Sequence, residues 1–209
     1  MPLATWRGLL EGTQCRLAGG LEIRYQPSPG ANAIMVTPEL AAGAAMAVLR
    51  GGADFVYLFN YFADMHLGGQ WTKEQYDRTL RAMASLEALD RLPRRHAVTY
   101  RDVRAPGEPS DQPLPASGSI LAFRLQTGPR PAGRTVEVLL EAGAPDTPAP
   151  ELRVNSVLCP PPQQDGATFT YADPEAALAD EVHVVEASAA EGKPLTVVRV
   201  EFAIGEKTG

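Results

Sequence analysis

Few side chains in this sequence sit in patterns that perform chemistry. His66, His96 and His183 are scattered, without the close spacing that metal ligands need, and neither C-x-x-C nor H-E-x-x-H occurs. No metal site is expected. A G-x-S-x-G elbow, a Walker loop and a G-x-G-x-x-G turn are missing as well, which counts against triad hydrolysis, nucleotide binding and dinucleotide cofactors. No cofactor is expected either. Cys15 and Cys159 lie in different halves of the chain, so they form no disulfide framework and read as two reduced thiols. The basic group Arg91, Arg94 and Arg95 closes a helical segment, where it complements the negative end of the helix dipole on a solvated linker. With 19 basic against 25 acidic side chains and a net charge of −6, nucleic acid is not an expected partner.

What remains is a set of polar and aromatic side chains, Glu22, Tyr57, Asn60, Tyr61, Asp64 and Trp71, whose meaning depends on the elements that carry them. Residues 15–22 form a short apolar run that reads as a strand, followed by a Pro, Gly and Asn loop at 26–32. Thr37 then supplies an N-cap, Pro38 the first helical position, and Glu39 a negative charge at the positive end of the dipole. Leu40, Ala44 and Val48 among small neighbours predict a closely packing helix that Gly51 and Gly52 end. Residues 53–62, ADFVYLFNYF, are almost uninterruptedly apolar and too short for a typical helix. They read as a strand buried on both faces, as parallel strands are. Thr72 and Gln75 make a capping box for a second helix, with Tyr76, Leu80, Met83 and Leu86 along one face and Pro93 as its stop. Strand, helix, buried strand and helix leave sheet edges open, and something must cover them.

After His96 the texture changes. Residues 105–115 are crowded with Pro, Gly and Asp, and beyond them apolar positions alternate: Leu121, Phe123 and Leu125; Val136, Val138 and Leu140; residues 182–187; and Val198, Val200, Phe202 and Ile204. Leu152 and Val154 lead into Asn155-Ser156, a tight hairpin turn left by Val157 and Leu158. Six or seven short antiparallel strands argue for a β-sandwich. Two domains are expected, 1–98 and 99–209, and 44% hydrophobic residues suffice for their cores. No run approaches the roughly 20 apolar residues of a membrane helix. The first ten residues lack the basic and apolar regions of a secretory leader, so a cytoplasmic protein without membrane contact is expected.

The segment Gly52-Ala53-Asp54-Phe55-Val56-Tyr57-Leu58-Phe59-Asn60-Tyr61-Phe62, preceded by Thr37-Pro38-Glu39-Leu40 and a helix of small residues, resembles the final β/α units of bacterial (β/α)8 glycoside-hydrolase-like proteins. The link Leu92-Pro93-Arg94-Arg95-His96 and the β-region around Leu152-Arg153-Val154-Asn155 are similar to the galactose-binding-like jelly roll that often follows such barrels. The resemblance implies an α/β plus all-β chain: a partial (β/α)8 barrel of about the last two units, then an antiparallel β-sandwich of jelly-roll type. The rest of the barrel would lie upstream of Met1, so the chain looks like a C-terminal fragment. Its implied partners are a carbohydrate ligand and the missing N-terminal barrel portion as a separate chain. Ser156 departs from the glycine that the positive φ of a tight hairpin turn favours.

Barrel active sites lie at the C-terminal ends of the strands. The resemblance makes Glu22 the end of the seventh strand, where many retaining glycosidases place their nucleophilic carboxylate, and Asn60 the end of the eighth. Asn60 would then bond a substrate hydroxyl, Tyr57 or Tyr61 would stack on a sugar ring, and Asp64 lies close by. Trp71, in the loop that follows, is the candidate exposed platform, whereas Trp6 at helical spacing from Leu9 and Leu10 reads as a packing anchor. The plainer roles are an ion pair of Glu22 with Arg16 or Arg24, and tyrosines in the core. A retaining glycosidase needs a second carboxylate about 5 to 5.5 Å from the first, and it would come from a fourth strand that this sequence does not contain. A fragment that acts on or binds carbohydrate and is inactive alone is therefore expected. The alternative is a non-enzymatic carbohydrate-binding or interaction protein that works through the β-sandwich, or one in which the β-region is only a lid.

Overall fold

The computed structural model describes residues 3–28, 30–62, 71–99, 107, 113–129, 131–174, 181–189 and 194–207. The first half comprises α1 (Leu3–Leu9), β1 (Ala18–Glu22), β2 (Arg24–Tyr25), β3 (Ile34–Met35), α2 (Pro38–Arg50), β4 (Phe55–Phe59), α3 (Lys73–Ala82) and α4 (Leu86–Asp90). The start of α2 is set as its local sequence dictates: the Leu40 N–H donates to Thr37 Oγ1 at 3.3 Å and Pro38 opens the first turn. Gly52, at φ +102°, carries the chain out of the helix.

β1 and β4 pair in parallel across α2, from Ala18 opposite Phe55 to Glu22 opposite Phe59. Helix α2 covers one face of this pair. There Gly19 lies so close to Val48 that a Cβ would stand 2.2 Å from its Cγ1, and Leu21 is buried beside it. The opposite face carries Ala18, Gly20, Glu22, Phe55, Tyr57 and Phe59, all exposed. β4 is therefore not buried on both faces, as its continuous apolar run suggests. α2 packs on it, and among the described residues no further strand pairs with either edge of the parallel pair.

The capping box is present: the Gln75 N–H donates to Thr72 Oγ1 at 3.1 Å and the Thr72 N–H to Gln75 Oε1 at 2.8 Å. The single helix expected up to Pro93 is two, because Ser85 starts a new one by accepting the Ala88 N–H at 3.1 Å. Trp71 is not an exposed platform. It is buried, its Nε1–H donates to the Val36 carbonyl at 2.8 Å, and its ring meets Tyr76 edge-on. The indole thus ties the start of α3 to the chain ahead of α2.

The second half adds β5 (Arg94–Ala97), β6 (Ala116–Gly118), β7 (Ile120–Gln126), β8 (Arg134–Ala142), β9 (Glu151–Val154), β10 (Val157–Leu158), β11 (Gln163–Asp165), β12 (Thr168–Ala172), β13 (Val182–Ser188) and β14 (Leu195–Lys207). They form two antiparallel sheets, β10-β9-β13-β7 and β11-β12-β8-β14-β5, with β6 also on β14. Phe123, Leu125, Leu152 and Val185 of the first pack with Val138, Leu140, Phe169 and Phe202 of the second in one core. Burying side chains of this size contributes about 1.5–3 kcal/mol each.

The link at 94–96 is not a solvated linker. Arg94–Ala97 joins the sandwich as an edge strand, with His96 opposite Phe202 and Arg94 opposite Ile204. Arg94 is wholly buried, and Arg95 pairs with Glu201 at 2.5 Å. The sheet thus begins ahead of the division expected after Val98. At the β9-β10 hairpin, Asn155 and Ser156 both adopt positive φ, +45° and +68°. Asn155 is held there by the Val184 N–H, which donates to its Oδ1 at 2.9 Å. Ser156 has a Cβ in a region that L-residues enter at a cost of about 1–2 kcal/mol. Ser156→Gly is expected to raise unfolding stability by about 0.5–1 kcal/mol in a denaturant titration.

Candidate functional site

The C-terminal ends of two adjacent parallel strands bring Glu22 and Asn60 to one rim. Glu22 is level with Phe59, and Asn60 follows it. Asn60 turns the chain away at φ +57°, a conformation asparagine tolerates better than most residues, and its carbonyl accepts the Phe62 N–H at 2.9 Å. Glu22 Oε1 accepts the N–H of the next residue, Ile23, at 2.8 Å, which fixes the carboxylate at the rim. Arg16 lies toward the other end of the pair, its guanidinium carbon 4.9 Å from the centre of the Phe55 ring.

Below the rim, Phe55, Tyr57 and Phe59 stand on one face at a repeat of about 6.6 Å along the strand, and they are 40%, 55% and 50% exposed. Beside them β1 presents only Ala18 and Gly20, and a Cβ built on Gly20 would meet no atom within 4 Å. The result is an aromatic row next to a floor of small residues, closed at one end by a carboxylate and an amide. Such a face suits a ligand with flat apolar C–H surfaces and hydroxyl edges.

The structure sorts the expected residues. Glu22 and Tyr57 lie on this face, and Asn60 follows Phe59 at its rim. Tyr61 does not: it is buried, and its backbone carbonyl accepts the Tyr76 hydroxyl at 2.8 Å. Burial first, and the Glu22 charge next, push the Tyr61 hydroxyl well above its ordinary range, so it stays protonated. Trp71 belongs to the core, and Asp64 lies outside the described residues. Phe55 and Phe59 are the members of the row that sequence reasoning missed. Their period of two is present in the sequence, but the intervening Val56 and Leu58 are apolar too and conceal it.

Two other acids are placed away from Glu22. Asp54 precedes β4 at the opposite end, about 16 Å from the Glu22 level by strand rise. There it accepts the Leu17 N–H at 2.6 Å and pairs with Arg7 at 3.0 Å, which together hold its carboxyl below the usual range. Glu39 lies in the first turn of α2, behind the sheet, where it lines a cleft with Pro93, Arg95, Thr135 and Glu137. The Asp54 separation exceeds the roughly 5–9.5 Å that paired glycosidase carboxylates require. Among the described residues no group of three or more His, Cys, Asp or Glu side chains gathers to hold a metal, and no helix is long and apolar enough to cross a membrane.

No protein-family model matches the chain, and no curated protein does. Among solved structures, a Glu-to-Gln variant of BuGH86 in complex with neoagarooctaose is similar at a TM-score of 0.39 and 14% identity, over 54% of this chain and 18% of that one. Wild-type BuGH86 with the same ligand gives a TM-score of 0.37 and 12% identity over the same shares. The chain thus spans less than a fifth of the length of these structures. At such TM-scores the likeness carries no functional argument.

Proposed function

We propose that the chain is the last part of a glycoside-hydrolase-like barrel with its following jelly-roll sandwich, and that the open face of β1 and β4 binds carbohydrate without cleaving it. The observation that carries this reading is the bare row Phe55, Tyr57 and Phe59, on the face that also holds Glu22, with Asn60 next in the chain at its rim. A ring in this row stacks on the apolar face of a pyranose, while Glu22 and Asn60 take hydroxyls at the rim. Exposed apolar patches of this kind mark contact surfaces.

Hydrolysis needs one carboxylate to protonate the leaving oxygen and another to attack or to activate water. Glu22 alone does neither productively. The purified chain is expected to show no turnover of aryl glycosides, with Glu22→Gln indistinguishable from wild type. Stacking on one open aromatic contributes about 1 kcal/mol, so Tyr57→Ala is expected to weaken binding about fivefold in a calorimetric titration. Turnover abolished by Glu22→Gln would overturn the non-catalytic reading, and binding indifferent to Tyr57 would overturn the placement of the site.

A further inference from the structure

The polar groups buried where the helical layer meets the sandwich take no part in that face. β5 turns both Arg94 and His96 inward. Arg94 has Asp90 of α4 at 3.2 Å as its counter-charge, and Asp90 is 45% exposed. Around the buried His96 ring stand Arg94 on its own strand, Arg50 from α2, His183 from β13 and the backbone of Gln126 at the end of β7. His183 hydrogen-bonds Thr127 and stacks on Phe202 with ring centroids 4.8 Å apart. Arg50 pairs at 2.6 Å with Glu181, a residue facing solvent. Arg134 of β8 adds its charge to the surroundings of Arg94 and donates to the carbonyls of Gly205 and Arg91. Cations therefore crowd the His96 side of the joint, where the counter-charges Asp90 and Glu181 lie toward water, while the neighbouring Arg95 of β5 is paired with the buried Glu201.

We infer that this joint is an acid-sensitive latch: a proton taken up at the buried His96 ring, beside Arg94 and Arg50, releases the α/β layer from a β-sandwich that stays folded. The topology permits such a release. Among the described residues β5 is an edge strand that pairs only with β14, and it is also the strand on which α2 rests, so it can leave with the helices without opening the rest of the sheet. Burial, with the neighbouring cations, pushes the His96 imidazole down to about 3, so in the closed joint it is neutral. In the released chain an ordinary imidazole titrates near 6.5. The open form thus takes up the proton first. The joint holds fully above about pH 6.5 and weakens progressively as pH falls toward 3.

The sequence has two tryptophans, Trp6 and Trp71, and both pack in the α/β layer. Tryptophan emission therefore reports that layer, and the far-ultraviolet β signal reports the sandwich. On acid titration of the full chain, the emission is expected to shift to the red at a higher pH than the β signal is lost. His96→Gln should lower the emission midpoint by about one pH unit or more and leave the β-signal midpoint in place. Coincident transitions in the wild-type chain overturn the inference, whatever the variant does. An unmoved emission midpoint in His96→Gln overturns it as well. If that variant does not fold at pH 7, Arg94→Met takes its place: loss of the facing cation lowers the emission midpoint, and a midpoint that stays put contradicts the latch.

Discussion

Gly43→Ala is expected to pull the two layers of this protein apart. Gly43 sits in the middle of α2, where glycine costs about 1 kcal/mol relative to alanine, so a helix argument alone predicts a stabilising change. The packing reverses that sign. A Cβ at Gly43 would stand 2.0 Å from the Arg95 carbonyl oxygen and 2.6 Å from its carbon. Both are backbone atoms of β5, which is pinned on its other side by the ladder to β14. Close-packed interiors absorb such overlap only by moving whole elements. A loss of about 3 kcal/mol should appear in thermal melts followed by tryptophan emission, with the sandwich signal less affected. Gly8→Ala in α1, where a Cβ meets nothing within 4 Å, is the control and should be neutral or slightly stabilising. A Gly43→Ala chain that melts like wild type would mean that the helical layer does not rest on β5.

The second large effect is expected at Glu201. Its side chain is 1% exposed and bridges two arginines, Arg95 at 2.5 Å and Arg199 at 2.6 Å, while Arg199 reaches on to Glu141 at 3.5 Å. Tyr25, which follows β1 in the first half, lies against this network, and burial together with the Glu201 charge keeps its hydroxyl protonated. Glu201→Gln leaves both guanidinium groups facing a neutral amide. Breaking a fully buried pair costs about 3–5 kcal/mol. Arg95 and Arg199 are 30% and 24% exposed and regain some water, so about 2 kcal/mol is the expected loss. A double-mutant cycle with Arg95→Met should show that the two changes do not add. Full additivity would mean that the pair does not act as a unit.

Local signals in the sequence carried much of this fold, and long-range ones did not. Thr37-Pro38-Glu39, Thr72 with Gln75, and Asn155-Ser156 state their own geometry, because each cap or turn is made by residues at most three apart. The strands around Phe123, Val138 and Phe202 were legible from their alternation against charged neighbours. β5 was not, since an inward Arg94 and His96 give it the composition of a linker, and only its partners on β14 and α2 make it a strand. Trp71 is buried by an acceptor on Val36, 35 residues earlier, which no local pattern announces. For the candidate site, topology placed Glu22 and Asn60 correctly at one end of a parallel pair, and Tyr57 joined them. Tyr61 went to the core because the chain turns at Asn60 and reverses the alternation.

The open face is tested most directly by titrating the isotope-labelled full chain with soluble oligosaccharides and following its backbone amides by NMR. Shifts are expected to gather on Gly20, Glu22, Tyr57 and Asn60, and to need about fivefold more ligand in Tyr57→Ala. Shifts confined to the sandwich, or none at any of these four amides, would contradict carbohydrate binding by the β1-β4 face.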